Sequence, residues 1–185
     1  MFLLITYIAS EIGSGKSCYA ALLAKRALKH GKTVYSSEHI NGCLKVDLTD
    51  LVNLKPLENS LIILEEIGNS MNSRNFSKIN MGLIEFFKLS RHYKSDIVLI
   101  SQTFNDSDKQ VRELSSKVCI IRPLIKGLFS MVVKCKGKLG IGLDGQFCVQ
   151  YKIGHLGEIF FLPKYFKMFN SFNVPFKDYI LSLPW

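Results

Sequence analysis

The residues with the plainest chemical purpose form one run near the amino terminus, Ser10-Glu-Ile-Gly13-Ser14-Gly15-Lys16-Ser17-Cys18. Glycines at 13 and 15 free the backbone to turn its N–H groups inward on a polyanion. Lys16 adds a cation for the β- and γ-phosphates of a nucleotide, and Ser17 offers a hydroxyl to Mg²⁺. Ser14 and Cys18 lie within the same turn and the start of the following helix, whose positive dipole end faces the anion. This pattern usually opens on glycine. Ser10 stands at that position, a mild change at a turn start, and ATP with Mg²⁺ is the expected ligand.

A hydrolytic site also needs a carboxylate at the end of a buried strand and a group beside it that polarises water. Leu61-Ile-Ile-Leu-Glu65-Glu66 meets both needs. Glu65 is expected to hold the Mg²⁺ shell, and Glu66 to act on the attacking water. Strands ending in exposed acids are common; behind a phosphate loop the pair takes on a catalytic meaning. Ile97-Val-Leu-Ile-Ser-Gln102 is a second apolar strand with a polar tip, and Gln102 is the candidate for contact with the γ-phosphate or the water. Arg74, Arg91 and Arg112 follow the acidic strand or the polar tip. An arginine from a neighbouring subunit can stabilise phosphoryl-transfer charge, although for any single one of the three a solvated surface residue is the better reading. His92 is read as structural, since Glu66 already fills the role of base.

Placing these groups calls for strands that end where the polar residues begin. Phe2–Ala9 is a short apolar run that reads as a buried strand. Lys16–His30 is rich in Ala and Leu and ends at Gly31, a helix with its stop signal. Thr33–Ser36, Leu61–Leu64, Ile97–Ile100 and Val118–Ile121 read as further strands. Ile79–Tyr93 and Asp106–Ser116 read as helices. The alternation of strand and helix implies a parallel sheet covered on both faces. Numbering the five strands along the chain, the expected sheet order is 5-1-4-3-2, that of an α/β P-loop NTPase with an additional strand (RecA/FtsK-like). Asn41-Gly42 marks a turn in the mixed stretch 38–59.

After Arg122 the character changes. Phe129–Gln150 alternates and carries glycines, which suggests a β-hairpin turning at Asp144-Gly145. Residues 1–122 are read as the ATPase core, and 123–185 as a basic, β-rich extension packed on the same domain. The chain of 185 residues carries a formal charge of +9, and from Pro123 onward eight lysines face only three acids. Lys134, Lys136 and Lys138 would share one face of a strand. Such a face could track the phosphates of DNA; it is equally a solvated hairpin face. Tyr151, Phe160, Phe161, Tyr165, Phe166 and Phe169 are candidates for stacking on single-stranded bases, with core or subunit interface the better reading for most of them.

Five cysteines without a Cys-x-x-Cys pair point to reduced thiols rather than a disulfide framework or a zinc site. The longest apolar run, Phe2–Ala9, is far below the ~20 residues of a membrane helix. With a phosphate loop directly behind it, it is read as a core strand rather than a signal peptide. A cytoplasmic location follows as the expectation, peripheral to a membrane or associated with a virion.

Together these blocks resemble the Zot-like (zonular occludens toxin domain) family, which includes filamentous-phage assembly ATPases, within the FtsK/HerA-type motor ATPases. The resemblance rests on Ile5–Ser17, Leu61–Gly68, Asn72–Phe76, Asp108–Arg112 and, most specifically, Phe86–Gln102, with a weaker echo at Leu162–Ser171. It implies an ATP-driven motor for virion morphogenesis, working as a homo-oligomeric ring, a hexamer, with Arg112 or Arg91 acting across subunits. Capsid or other virion assembly proteins are the implied partners, and DNA the implied cargo. Extruding members carry a transmembrane segment behind the ATPase domain, which is not found in this sequence; DNA packaging into a capsid is therefore favoured over extrusion with a membrane partner. Two other classes fit the sequence less well. A nucleotide or small-molecule kinase is disfavoured by Glu65-Glu66, Gln102 and the lack of an arginine-rich lid. A non-hydrolysing scaffold is disfavoured by the intact Lys16, Ser17 and Glu66.

Overall fold

The structure, a computed structural model, describes residues 5–47, 50–51, 58–65, 78–90, 92–102, 109–141 and 147–169. Its strands are β1 (Ile5–Ala9), β2 (Thr33–Ser36), β3 (Leu44–Lys45), β4 (Ser60–Leu64), β5 (Asp96–Ser101), β6 (Lys117–Ile125), β7 (Phe129–Ile141) and β8 (Phe147–Phe161). The helices are α1 (Lys16–Lys29), α2 (Lys78–Leu89) and α3 (Lys109–Leu114), followed by two 3₁₀ turns at Leu162–Lys164 and Phe166–Met168.

All eight strands join one sheet in the order β3-β2-β4-β5-β1-β6-β7-β8. Strands β3 to β6 pair in parallel, and β6-β7-β8 are antiparallel. The five strands expected from the sequence keep the order 5-1-4-3-2 as β6-β1-β5-β4-β2. The sheet then extends beyond that core, with β3 at one edge and the hairpin at the other.

Side-chain alternation explains why the central strands read as continuous apolar runs. Ile8, Leu61, Ile63, Val98, Ile100, Cys119 and Ile121 point to one face. Tyr7, Ala9, Ile62, Leu64, Ile97, Leu99 and Val118 point to the other. Both faces are dry, so both sets must be apolar. Helix α1 covers the first face through Cys18, Tyr19, Ala20, Ala21, Leu22, Ala24 and Ala27; its alanines let the helix lie close to the sheet. Helices α2 and α3 cover the second through Leu83, Ile84, Phe86, Phe87 and Val111.

Several boundaries differ from expectation. Helix α1 stops at Lys29, one residue before His30. Helix α2 ends at Leu89 rather than Tyr93. Ser90 Oγ donates to the Phe87 carbonyl at 2.8 Å, and the backbone turns through Lys94 at φ 54 before β5 begins. Helix α3 ends at Leu114, and its expected start at Asp106 lies outside the described residues. Strand β6 runs on from Ile121 to Ile125 and includes Pro123. A missing N–H is tolerated there because β1 pairs only with Lys117–Ile120, and no other strand among the described residues pairs with that side of Pro123. The second hairpin strand continues past Gln150 to Phe161, and its expected turn at Asp144-Gly145 lies outside the described residues. This length was hidden by two irregularities in the β7–β8 register, which break period-2 alternation. At one of them Gly157 lies so close to β7 that a Cβ there would stand 2.6 Å from the Val132 carbonyl oxygen.

Polar ties fix strand ends at the edge opposite the phosphate loop. Lys32 Nζ lies 2.5 Å from Asp96 Oδ2, and the buried Ser60 and Ser95 hydroxyls are 2.9 Å apart. No helix among the described residues is long and apolar enough to cross a membrane.

Candidate nucleotide site

The carboxyl ends of β1, β4 and β5 meet around the loop Ser10–Gly15, at the position where open α/β sheets bind ligands. Strand β1 delivers the chain to the loop, and the Ser10 N–H donates to the Ser101 carbonyl at the end of β5, at 3.3 Å. The Ser10 hydroxyl is buried and donates to the Ile121 carbonyl of β6. Ser10 therefore stitches the loop to both strands flanking β1, and its side chain is turned to the sheet rather than into the loop.

Gly15 precedes α1 with φ 97, a left-handed conformation that an L side chain rarely adopts. A Cβ there would also lie 2.5 Å from Leu162 Cδ2 and 3.3 Å from Ser130 Oγ. Glycine is thus required both by conformation and by close approach. Helix α1 has no side-chain N-cap hydrogen bond and no acid in its first turn, which keeps its positive end available to an anion.

Ser17 Oγ donates to Glu65 Oε2 at 3.1 Å. Two oxygen ligands from two elements thus converge where a hard cation would sit, and this donor set fits Mg²⁺, which takes few protein ligands and completes its shell with water and phosphate. Glu65 is itself placed by its neighbour strand: its N–H donates to Ser37 Oγ at 2.9 Å, just beyond β2. Lys16 Nζ donates to the carbonyls of Ser10 and Glu11, the latter at 2.8 Å, so its ammonium spans its own loop. Cys18 follows on α1. Burial first, and then the charge of Glu65, pushes its thiol up to about 11, and it stays protonated at neutral pH.

These groups border a cavity of about 560 Å³ lined by Gly13, Gly15, Lys16, Ser17, Glu65 and Gln102, among others. Gln102 is exposed at the tip of β5 and also faces a second cleft of about 880 Å³ on the other flank of the loop, with Arg122 and Lys126. Ser14 is buried, and its hydroxyl has no hydrogen-bond partner among the described residues. Arg112 is half-buried on α3. Glu66, Arg74 and Arg91 lie outside the described residues.

Sequence reasoning missed the support that the C-terminal part gives the loop. Ser130 on β7 is fully buried and donates its hydroxyl to the Ser14 carbonyl at 2.7 Å. Leu162 stands over Gly15, and its carbonyl lies 3.8 Å from Cys18 Sγ. Phe160 stacks at a tilt on Tyr19 of α1, with centroids 5.3 Å apart. Phe166 and Phe169 line the 560 Å³ cavity. The weak echo at Leu162–Ser171 was the one signal pointing to this segment; nothing local marks Ser130. Of the aromatics considered for base stacking, Phe160 and Tyr165 are buried in the core, Phe161 and Phe166 are exposed, Phe169 is half-buried, and the side chain of Tyr151 is outside the description. Lys134, Lys136 and Lys138 occupy alternate positions of β7. Lys134 is exposed, and the side chains of the other two are outside the description.

Comparison with known proteins agrees with this geometry. Residues 23–124 match the family described as zonular occludens toxin (Zot). The match spans Glu65, Glu66, Arg91, Gln102 and Arg112 and begins after the phosphate loop. Gene 1 protein of Enterobacteria phage I2-2 is 28% identical over an alignment 159 residues long, with 68% of this chain and 44% of that protein covered. The chain therefore spans less than half the length of this relative. Among solved structures, the N-terminal domain of zonular occludens toxin from Neisseria meningitidis superposes with a TM-score of 0.58 at 17% identity, covering 92% of this chain and 100% of that one. The genome packaging NTPase B204 of Sulfolobus turreted icosahedral virus 2, in complex with ATP-gammaS, gives 0.53 at 10% identity, covering 82% and 98%. Matched over more than half its length, and built on a P-loop NTPase fold, the chain belongs to the zonular occludens toxin (Zot) family.

Proposed function

We propose that this chain is the ATP-hydrolysing subunit of a ring-shaped motor that moves DNA during phage virion assembly. The observation that carries the reading is the Ser17–Glu65 hydrogen bond beside Lys16, at the mouth of a cavity built on an uncapped helix N-terminus. Ser17 and Glu65 would hold Mg²⁺, which when bound would supply neutralisation of the charge that develops on the transferring phosphoryl group. The chain's own residues then divide the work. Gly13, Gly15, Ser14 and Cys18 present backbone N–H groups to the phosphates. Lys16 exchanges its loop carbonyls for phosphate oxygens. Ser17 and Glu65 hold the cation, Glu66 takes a proton from the attacking water, and Gln102 orients that water.

The cleft beyond Gln102 offers a path by which an arginine of a second subunit reaches the phosphates, in keeping with a hexameric ring in which Arg112 or Arg91 acts in trans. Residues 1–122 supply the chemistry and 123–185 the basic surface for DNA, led by Lys134. The reading extends to genome packaging with capsid proteins as partners in the host cytoplasm; what supports the packaging part is likeness of fold to a structure named as a genome packaging NTPase. A second reading is assembly or export of phage with a membrane partner. It is favoured by the match to gene 1 protein, more than half of which lies beyond the matched length.

The test is steady-state ATP hydrolysis with and without single- and double-stranded DNA, on the wild type and on a variant with Lys134, Lys136 and Lys138 changed to alanine. DNA should raise the wild-type rate and have little effect on the variant, whose basal rate stays. Transfer of phosphate to an added acceptor in place of water would sink the motor reading.

A further inference from the structure

The cavity that holds the phosphate-directed groups does not end with them. One wall of it is made by Gly127, Leu162, Phe166 and Phe169, supplied by the β6–β7 turn, the two 3₁₀ turns and the residue that follows them. We propose that this wall is the nucleobase subsite, an aromatic shelf on which the base stacks while the phosphates occupy the loop. The proposal rests on the nucleotide-binding reading above and specifies which nucleotides the site takes.

Three observations carry it. First, Phe166 is 49% exposed, which leaves its ring open to a ligand, and it borders the same cavity as Lys16, Ser17 and Glu65. Second, the segment that presents it is anchored. The Asn41 N–H donates to the Met168 carbonyl at 2.7 Å, Asn41 Nδ2 donates to the Lys167 carbonyl at 2.9 Å, and Phe169 bridges to Ile40. An anchored ring loses little freedom when a ligand stacks on it. Third, the cavity volume of about 560 Å³ falls in the range of small-molecule and cofactor sites.

The chemistry of the shelf sets its selectivity. Among the described residues of this wall, no side chain bears an amide, carboxylate or hydroxyl that could read the hydrogen-bonding edge of a base. A π-face accepts every base and favours the larger ring system. A shelf of this kind favours purine over pyrimidine nucleoside triphosphates and by itself discriminates weakly between adenine and guanine.

The experiment is equilibrium binding of ATP, GTP and inorganic tripolyphosphate to the wild type and to Phe166→Ala, Phe166→Tyr and Lys16→Ala, with thermal melting of each. Wild-type affinities for ATP and GTP should agree within a few-fold. Phe166→Ala should weaken both by about tenfold, the loss expected for one stacking contact, and leave tripolyphosphate binding and the melting temperature unchanged. Phe166→Tyr should restore both nucleotides. Unchanged ATP affinity in Phe166→Ala, or an equal loss for tripolyphosphate, would overturn the subsite. Lys16→Ala reads the loop separately: if tripolyphosphate binds that variant as well as wild type, the phosphate-loop reading fails, whatever Phe166 does.

Discussion

Ser130 Oγ donates to the carbonyl of Ser14 at 2.7 Å, joining the hairpin to the middle of the phosphate loop across 116 residues of sequence. The hydroxyl is fully buried, so no water replaces it when it is lost. The extension is thus a wall of the nucleotide site, and contacts made by β7 and β8 have a direct mechanical route to the loop.

Replacing Ser130 with alanine should leave a buried carbonyl unpaired. The expected stability cost is ~1–3 kcal/mol, read from denaturant unfolding. The KM for ATP should rise more than kcat falls, because the loop is misplaced before any chemistry begins. Ser130→Thr should recover most of the KM. A variant with lowered stability but an unchanged KM would show that the bond is structural only.

Gly15→Ala should fold but bind nucleotide poorly. The left-handed backbone alone costs an L residue ~1–2 kcal/mol, and the added methyl would have to displace Leu162 Cδ2, 2.5 Å away. Titration with a fluorescent nucleotide analogue checks this. Adding Leu162→Ala should recover part of the lost affinity by clearing the contact, while leaving the backbone strain.

How much of this was legible in sequence divides along a physical line. Strands β1, β4 and β5 are buried on both faces, so each shows as an apolar run, and β4 and β5 run out into Glu65 and, after Ser101, Gln102, which line the cavity. The parallel order followed from these runs, and Lys16, Ser17, Glu65 and Gln102, singled out in the sequence, border one cavity. Ser130, Leu162 and Ser37 could not be singled out. Their roles arise from contacts between distant segments, and a serine on a strand or a leucine before Pro163 carries no local sign of the loop it touches. Glu66 and Arg91, read from sequence as base and trans arginine, lie outside the described residues, and their roles rest on the proposal above.

Arg26 of α1 and Glu158 of β8 form a two-pronged ion pair at 2.8 and 2.6 Å, tying the helix behind the loop to the hairpin. Burial alone would raise the Glu158 carboxyl, but the bonds and charge of Arg26 outweigh it, and the net shift is downward. A depressed carboxyl stabilises the fold above its unfolded value. The contribution is whole at neutral pH and is lost as acid takes the pH below the ordinary carboxylate value of 4.5 and through the lower folded one. The side chains are 53% and 32% exposed, so solvent screening keeps the pair within ~0.2–1 kcal/mol. Glu158→Gln should melt lower than wild type at pH 7 and at the same temperature once both are well below that value.

Cys18 should resist alkylation at pH 8, since its thiol is pushed up to about 11 by burial and then by Glu65. Removing that carboxylate in Glu65→Gln should lower the thiol's pKa and speed labelling, measured by mass spectrometry. Equal rates in the two proteins would place Glu65 outside electrostatic reach of Cys18.

The most direct test of the central claim is release of inorganic phosphate from ATP by Glu66→Gln, measured with Mg²⁺ at nucleotide concentrations that saturate the protein. The account predicts that the variant binds ATP as the wild type does and hydrolyses it at least ~100-fold more slowly, the low end of what a positioned base contributes. Wild-type turnover in Glu66→Gln would contradict it, because the carboxylate behind Glu65 would then have no part in the chemistry.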